Sequence, residues 1–333
     1  QSQPLPDEAA NAVITDPPYY DAFAYSDLSD LFLVWLKRAV SDPKGRFNLE
    51  SPQSTSPKGK EIVVNPAAEK DGRGPKDHNW FSEQMCNALA DARRVTQPSG
   101  LSVIVFAHKG TQSWESLLDG IVRAGWTLTA SWPIDTERPS RQRAQDSAAL
   151  TSSVHLVARP RENPDGSLRE EVGEWRDVLS ELPPRIHEWM PRLAAEGVVG
   201  ADAIFACLGP ALEIFSRYSR VEKASGEAVP LREYLEQVWA AVSTEALSMI
   251  FKDADAAGLE PDARLTAMWL WTLGANTGDS NGKGKSSDDK VTASTGYTLE
   301  FDAARKIAQG LGIHLEQSES IIEVKGDKAR MLP

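Results

Sequence analysis

Residues 11–19, which read NAVITDPPY, decide the fold. Residues 12–15 form a short apolar, β-branched run that predicts a strand, and the next four bring a carboxylate, two prolines and an aromatic ring to its carboxyl end. Open α/β sheets bind their ligands at this end of their strands. The stretch therefore predicts a ligand site built on Asp16, Pro17, Pro18 and Tyr19.

These four residues suit a reaction at an exocyclic amino group. The Asp16 carboxylate and the Pro17 carbonyl can accept the two amino hydrogens, which turns the nitrogen lone pair out of conjugation and towards an electrophile. The two prolines fix the backbone, so both acceptors are pre-positioned. Tyr19 offers a flat face on which a flipped-out base can stack. The alternative interpretation is a rigid turn in which Asp16 caps nearby amides.

Downstream of this stretch, strands and helices alternate, which predicts an α/β layered sheet. Residues 28–40 predict an amphipathic helix whose inward face is Leu28, Leu31, Phe32, Trp35 and Leu36. Residues 101–107, LSVIVFA, predict a strand that is buried on both faces. The other predicted elements are helices at 80–95 and 111–124 and strands at 126–132 and 153–158. The predicted inward faces of these two helices are Phe81, Met85, Leu89, Ala92 and Val95 in the first and Trp114, Leu118, Ile121 and Val122 in the second.

The character of the chain changes after Pro160. Prolines at first-turn positions and helical spacing predict a mainly helical region, with helices at 184–196, 230–251, 261–273 and 301–311. Residues 274–296 are rich in Gly, Ser, Asn, Asp and Lys, which predicts a flexible excursion. We therefore divide the chain into a catalytic-motif part, residues 1–160, and a helical accessory part, residues 161–333.

Composition and charge exclude some classes of protein. The 333-residue chain has a net charge of −12, which argues against a nonspecific nucleic-acid coat protein but allows a local basic patch. Cys86 and Cys207 lie far apart, so they predict no metal cluster and favour a reducing, cytoplasmic setting. No apolar run approaches the roughly 20 residues that a membrane-spanning helix needs.

Asp-Pro-Pro-Tyr after an apolar strand resembles the catalytic motif of amino-methyltransferases that act on N6 of adenine or N4 of cytosine. The similarity extends to residues 16–38, 106–109, 130–134 with the Arg-rich loop after them, and 203–220. These stretches resemble large bacterial and archaeal proteins regarded as adenine-specific DNA methylases, some of which are encoded among phage-defence genes. The similarity covers most of the chain, and Asp-Pro-Pro-Tyr is its most specific element.

The resemblance implies a Rossmann-like class I methyltransferase sheet, the cofactor S-adenosyl-L-methionine, and methylation of DNA, most simply at N6 of adenine. It also implies that Asp16, Ser26 and Asp27 lie near the cofactor. The Gly-rich cofactor turn of such enzymes has no counterpart here, so this chain would supply the fourth to seventh of seven strands. That sheet would have an exposed edge and an open apolar face. We therefore expect a second polypeptide or an N-terminal segment to complete it.

Five residues are candidate contacts to DNA: Tyr19, Lys109, Arg138, Arg141 and Arg143. The three arginines form the strongest local basic cluster, between the strands predicted at 126–132 and 153–158. Such side chains contact phosphates, and the alternative is a solvated loop. The neighbouring His108 is interpreted as a hydrogen-bonded structural residue.

Three alternatives stay open. In a permuted methyltransferase, residues 198–209 and 210–218 would form a degenerate cofactor-binding strand, turn and helix, whereas the simpler interpretation is core packing and a helix start. A catalytically inactive scaffold, or a nucleic-acid-binding subunit of a defence complex, would fit the missing cofactor turn and the acidic charge. Methylation of RNA or of a protein glutamine is the third, although the glutamine enzymes usually have Asn in the place of Asp16.

Overall fold

The computed structural model describes residues 3–40, 55–56, 58–65, 75–108, 111–134, 153–198, 200–251, 258–273, 297–315, 318–326 and 328–332. Its central layer is a four-stranded sheet of β1 (Ala10–Thr15), β2 (Thr96–Phe106), β3 (Trp126–Ile134) and β4 (Ser153–Pro160). The strand order is β1-β2-β4-β3, with β1 parallel to β2 and β4 antiparallel to both neighbours. The protein is thus α/β with a mixed sheet.

The α-helices of the described ranges are α1 (Tyr25–Ala39), α2 (His78–Val95), α3 (Thr111–Arg123), α4 (Trp175–Ala195), α5 (Ala201–Ser216), α6 (Leu231–Ile250), α7 (Pro261–Thr272) and α8 (Phe301–Gly310). The predicted inward faces of α2 and α3 are confirmed as buried. α2 and α3 pack against the sheet and against each other, and α5 lies along β3. These three helices cover the same face of the sheet.

The covered face is buried from β2 to β3 and half-buried at the edge strand β1. One row of laterally paired residues runs from Thr15 in β1 through Ile104 and Leu156 to Ser131 in β3. The last three are buried, and only Thr15, on the edge strand, is half-buried. The indole nitrogen of Trp126 donates a hydrogen bond at 2.9 Å to the Leu89 carbonyl, which ties β3 to α2. The hydrophobic core therefore lies between this face and the helices.

The opposite face of the sheet is open among the described residues. The adjacent row contains Ile14, Val103, Val157 and Ala130, and none of the four is buried. Ile14 is 75% exposed. The prediction that residues 101–107 are buried on both faces is therefore wrong, because the described helices α2, α3 and α5 cover the face that carries Ile104, whereas Val103 and Val105 on the other face are half-buried. The outer edge of β1 also pairs with no strand in the described ranges.

Helix α1 forms as predicted, but its apolar stripe does not face inward. Leu28, Leu31, Phe32 and Trp35 are between 58% and 67% exposed, and Leu36 is 49% exposed. Ser26 is the only buried residue of the helix. The predicted burial is wrong because none of the described elements packs on this stripe.

The accessory part contains the predicted helices with one large shift. α4 begins at Trp175 rather than at residue 184, because Val178 and Leu182 extend the buried stripe of the helix upstream. Short strands were not predicted: β5 (Val172–Glu174) pairs with β6 (Arg220–Glu222), and β7 (Thr298–Glu300), β8 (Ile322–Lys325) and β9 (Lys328–Met331) form a small sheet. The excursion predicted at 274–296 lies outside the described residues. The division at residue 160 stays a prediction.

The strand that a permuted methyltransferase would need at residues 198–209 is not present. Residues 201–216 form the single helix α5, with Gly209 and Pro210 in its interior. Nearly all of its residues are buried, because the helix lies between β3 and α4. The interpretation of this segment as core packing is confirmed.

Candidate active site

The Asp-Pro-Pro-Tyr motif follows β1 directly, at the carboxyl end of the edge strand. Thr15, the last residue of β1, pairs with Ile104 of the parallel strand β2, so the motif also lies beside the carboxyl end of β2. Asp16 is exposed, and Pro17 and Tyr19 are half-buried. The motif thus occupies the edge at which open α/β sheets bind ligands.

Two acceptors of the motif are free within the described part of the chain. No residue there donates a hydrogen bond to the Asp16 carboxylate or to the Pro17 carbonyl. The Pro18 carbonyl, by contrast, accepts a hydrogen bond from the Tyr20 amide at 3.0 Å. The alternative interpretation of the motif required Asp16 to cap its own turn. Asp16 makes no such hydrogen bond among the described residues.

Neighbouring side chains fix the orientation of the Tyr19 ring. Its centroid lies 5.5 Å from that of Phe106, and the two rings are inclined at 71°, an edge-to-face contact. The Tyr19 amide donates to the hydroxyl of Tyr25 at 3.4 Å. Tyr19 is half-buried, so its ring lies partly at the surface at the same strand end as Asp16.

Tyr20 anchors the turn behind the motif, which sequence reasoning missed. It is buried and has a φ of +55°, a left-handed conformation that costs a non-glycine residue about 1–3 kcal/mol. Its ring packs edge-to-face on Phe81 and parallel to His78, whose Nδ1 accepts a hydrogen bond from the Tyr20 hydroxyl. Burial and the nearby Asp21 charge raise the pKa of Tyr20 to about 12, so the hydroxyl stays protonated. Its position directly after the motif is the only sequence signal.

His108 connects the same turn to α3. Its Nε2 lies 2.8 Å from Asp21 Oδ1, and its Nδ1 lies 2.6 Å from Ser113 Oγ. Its carbonyl accepts a hydrogen bond from the Trp114 indole at 2.9 Å, and its ring meets the Tyr20 ring edge-on. The interpretation of His108 as a hydrogen-bonded residue is confirmed. Its carboxylate partner lies 87 positions away, and no sequence pattern marks that pairing.

Ser26 and Asp27, the predicted cofactor contacts, are engaged by the segment 58–65. The amide and the hydroxyl of Ser26 both donate to the Glu61 carboxylate, the amide at 2.8 Å. Asp27 forms an ion pair with the Lys58 ammonium. These contacts hold the first turn of α1 in place. The cofactor roles of the two residues stay predictions, and a ligand that binds them must share or displace these partners.

Four predicted DNA contacts lie outside the described residues: Lys109, Arg138, Arg141 and Arg143. The ends of the flanking strands are described. β3 runs parallel to β2 and ends at Ile134, whereas β4 is antiparallel and begins at Ser153. The connection that carries the three arginines therefore begins and ends at the sheet edge that holds Asp16.

Comparison with models of known protein families, with curated proteins and with solved structures gives no match. Among the described residues, no helix combines the length and the apolarity that crossing a membrane requires. The function is therefore inferred from the geometry of the site and from the sequence motif.

Proposed function

We propose that this chain carries the catalytic motif of an S-adenosyl-L-methionine-dependent methyltransferase that modifies an exocyclic amino group in DNA, N6 of adenine. The observation that carries the proposal is the pair of free acceptors, Asp16 and Pro17, at the strand end that also holds Tyr19. A carboxylate that is not committed to its own turn can accept a hydrogen bond from a substrate. Such charge-assisted bonds are roughly twice as strong as neutral ones.

Asp16, Pro17 and Tyr19 would contact the substrate base, and Pro18 would fix the turn between them. Asp16 and Pro17 each accept one amino hydrogen, which directs the nitrogen lone pair away from the base ring. Tyr19 stacks on the flipped-out base, a contact worth about 1–3 kcal/mol. S-adenosyl-L-methionine, when bound, supplies an electrophilic methyl group on its sulfonium. Direct transfer needs no covalent intermediate on the protein, and the motif contains no cysteine.

The place of the motif in the sheet supports the proposal. β1, β2, β3 and β4 would correspond to the fourth to seventh strands, and β4 lies antiparallel between β2 and β3. The Asp-Pro-Pro-Tyr motif then follows the fourth strand, as the resemblance implies.

The described residues fit only part of a cofactor site. Asp16 is free to take part, whereas Ser26 and Asp27 are bound by Glu61 and Lys58. The sequence contains no Gly-rich turn of the kind that cradles this cofactor. We therefore propose that a further α/β polypeptide part, either a separate chain or a segment joined to this one, supplies that turn.

The free edge of β1, the open sheet face and the stripe of α1 form the surface that this part would cover. Six large apolar side chains of α1 are exposed: Leu28, Leu31, Phe32, Val34, Trp35 and Leu36. They expose on the order of 600 Å² of apolar surface, against about 800 Å² per partner in a standard interface. A part that adds a parallel strand to β1 also brings crossover helices onto the sheet face, because parallel sheets are covered on both sides.

Asp16→Ala in the complete protein tests the catalytic role. We expect N6-methyladenine in DNA digests, measured by mass spectrometry, to fall by about 100-fold or more, as on loss of other preorganised contacts. Because Asp16 is exposed, the stability should change by less than about 0.5 kcal/mol. Glu188→Ala, which removes an exposed carboxylate on α4, is the matched control. Undiminished methylation by Asp16→Ala would exclude the assigned role.

A catalytically inactive scaffold of a defence complex is the second candidate. The engagement of Ser26 and Asp27 by Glu61 and Lys58 favours it, because both predicted cofactor contacts already have partners. Calorimetry with S-adenosyl-L-methionine on the complete protein separates the two functions. Clear binding counts against the scaffold, and its absence, together with unmethylated DNA, supports it.

A further inference from the structure

We propose that His108 is a positioning residue for the Asp-Pro-Pro-Tyr motif. It contacts Asp21, in the turn after the motif, and thereby keeps the motif beside the end of β2; we call this His108–Asp21 contact the clamp. The functional importance of this clamp rests on the proposed function, since it assumes that the motif is catalytic. The mechanical coupling of His108 to the turn does not depend on that assumption.

The two ring nitrogens of His108 connect the buried residue Ser113 to the exposed residue Asp21. Ser113, near the start of α3, is 1% exposed, and its hydroxyl lies 2.6 Å from Nδ1. Asp21, on the other side, has a side chain that is 54% exposed and lies 2.8 Å from Nε2. The imidazole can donate from Nε2 to the carboxylate while Nδ1 accepts from the hydroxyl. The turn is thereby tied to the buried end of a helix.

The turn needs such a tie because its backbone is unfavourable. Tyr20, directly before Asp21, has a left-handed φ of +55°. The turn is closed locally by two short-range hydrogen bonds, from the Tyr20 amide to the Pro18 carbonyl at 3.0 Å and from the Ala22 amide to the Tyr19 carbonyl at 2.8 Å. Strained conformations persist where surrounding contacts over-determine them. His108 contributes twice, through Asp21 and through its edge contact with the Tyr20 ring.

The order Ser113, His108, Asp21 resembles a nucleophilic triad, but the burial pattern opposes that role. In a hydrolytic triad, the hydroxyl faces the substrate and the carboxylate is buried behind the histidine. Here the hydroxyl belongs to a residue that is 1% exposed and the carboxylate faces solvent. No substrate can reach the serine while the core stays closed, so the histidine orients the turn and does not activate a nucleophile.

Two isosteric variants separate the two contacts of His108. The amide nitrogen of Gln reaches the position of Nε2 and can still donate to Asp21, whereas that of Asn reaches only the position of Nδ1 beside Ser113. We expect His108→Asn to speed hydrogen exchange at the Tyr20 and Ala22 amides by about tenfold, the factor for one net hydrogen bond, and His108→Gln to leave it within about twofold.

His187→Asn is the matched control, since His187 also pairs with a carboxylate, Glu245 at 3.0 Å, far from the motif in sequence and on the helical part. It should leave exchange in the turn unchanged. Equal exchange in His108→Asn and in the unaltered protein would overturn the proposal, whatever the activity. So would equal acceleration by His108→Asn and His108→Gln, because the contact to Asp21 would then be irrelevant.

The second measurement is the rate of methyl transfer by the complete protein. We expect His108→Asn to lower kcat by about 100-fold, the effect of a misplacement of about 1 Å, while the Kd for S-adenosyl-L-methionine stays unchanged, and His108→Gln to recover most of kcat. If the unaltered protein shows no methyl transfer, the proposed function is refuted. The hydrogen-exchange measurements would still show whether His108 holds the turn. Full kcat in His108→Asn would overturn the positioning role.

Discussion

Gly209→Ala should destabilise the protein, because α5 and β3 touch at this residue without space for a side chain. A Cβ atom at position 209 would overlap the backbone between Ala130 and Ser131 and lie 2.8 Å from the Ala130 Cα, where ordinary carbon contacts are about 3.5–4.0 Å. The neighbouring atoms are backbone, so no side chain can rotate away. The helix must therefore retreat from the strand by about 1 Å.

The contact also closes a gap in the helical hydrogen bonds. Pro210 has no amide hydrogen, so the Ala206 carbonyl lacks its helical donor. The Ser131 hydroxyl supplies one at 2.7 Å and accepts the Gly209 amide at 2.8 Å. Overpacking costs about 1–3 kcal/mol, and stretching the bonds to Ser131 adds about 1 kcal/mol. The higher helix propensity of alanine returns about 1 kcal/mol, which leaves a net loss of about 1–3 kcal/mol.

Urea unfolding followed by tryptophan fluorescence measures this loss. Gly209→Ala should lower the transition midpoint with an unchanged slope. In a separate measurement, Ser131→Ala should cost about 1–3 kcal/mol, because the Ala206 carbonyl loses its donor in the buried interface. Gly59→Ala, where a Cβ meets nothing within 4 Å, is the matched control and should leave the midpoint unchanged. A midpoint for Gly209→Ala at or above that of the control would refute the packing argument.

Two further predictions concern the anchor and the apolar surface. Tyr20 ionises in the unfolded chain near pH 10 but in the folded protein only near pH 12, so folding loses up to about 3 kcal/mol as the pH rises between these values. Tyr20→Phe should flatten this loss in alkaline unfolding curves, and an equally steep loss in that variant would contradict the prediction. The chain alone should bind a hydrophobic dye such as anilinonaphthalene sulfonate, and Leu31→Gln with Trp35→Gln should lower the signal; unchanged fluorescence would mean that α1 is covered.

Periodicity predicted local structure well where packing agrees with it. The stripe of α2 is buried at all five predicted positions, because the helix lies against a sheet whose strands were also predicted. The same reasoning failed for α1 and for one face of β2. A periodic pattern shows which face is apolar, but it cannot show whether another element covers that face. The sequence did predict an exposed edge and an open face, though only through the resemblance.

Other features had no usable sequence signal. α5 was not predicted as a helix, because a nearly continuous apolar run followed by Gly209 and Pro210 has no amphipathic period. The strands β5 to β9 are three or four residues long, too short to show alternation. The His108–Asp21 pair depends on the parallel alignment of β1 and β2, which brings residues 87 positions apart together. Long-range pairing of this kind follows from topology and not from spacing.

Under the proposed function, the direction of any strand that joins β1 decides whether a site can form. Strands in a sheet lie about 4.8 Å apart, and parallel neighbours end at the same edge, so the turn after a parallel strand would face Asp16. Beside an antiparallel strand, including β1 of a second copy, that turn would lie at the opposite edge, about 20 Å away for a six-residue strand. Because the free acceptors of Asp16 and Pro17 stand at the end of an edge strand, methyl transfer requires parallel addition to β1, and self-association through the same edge would block it.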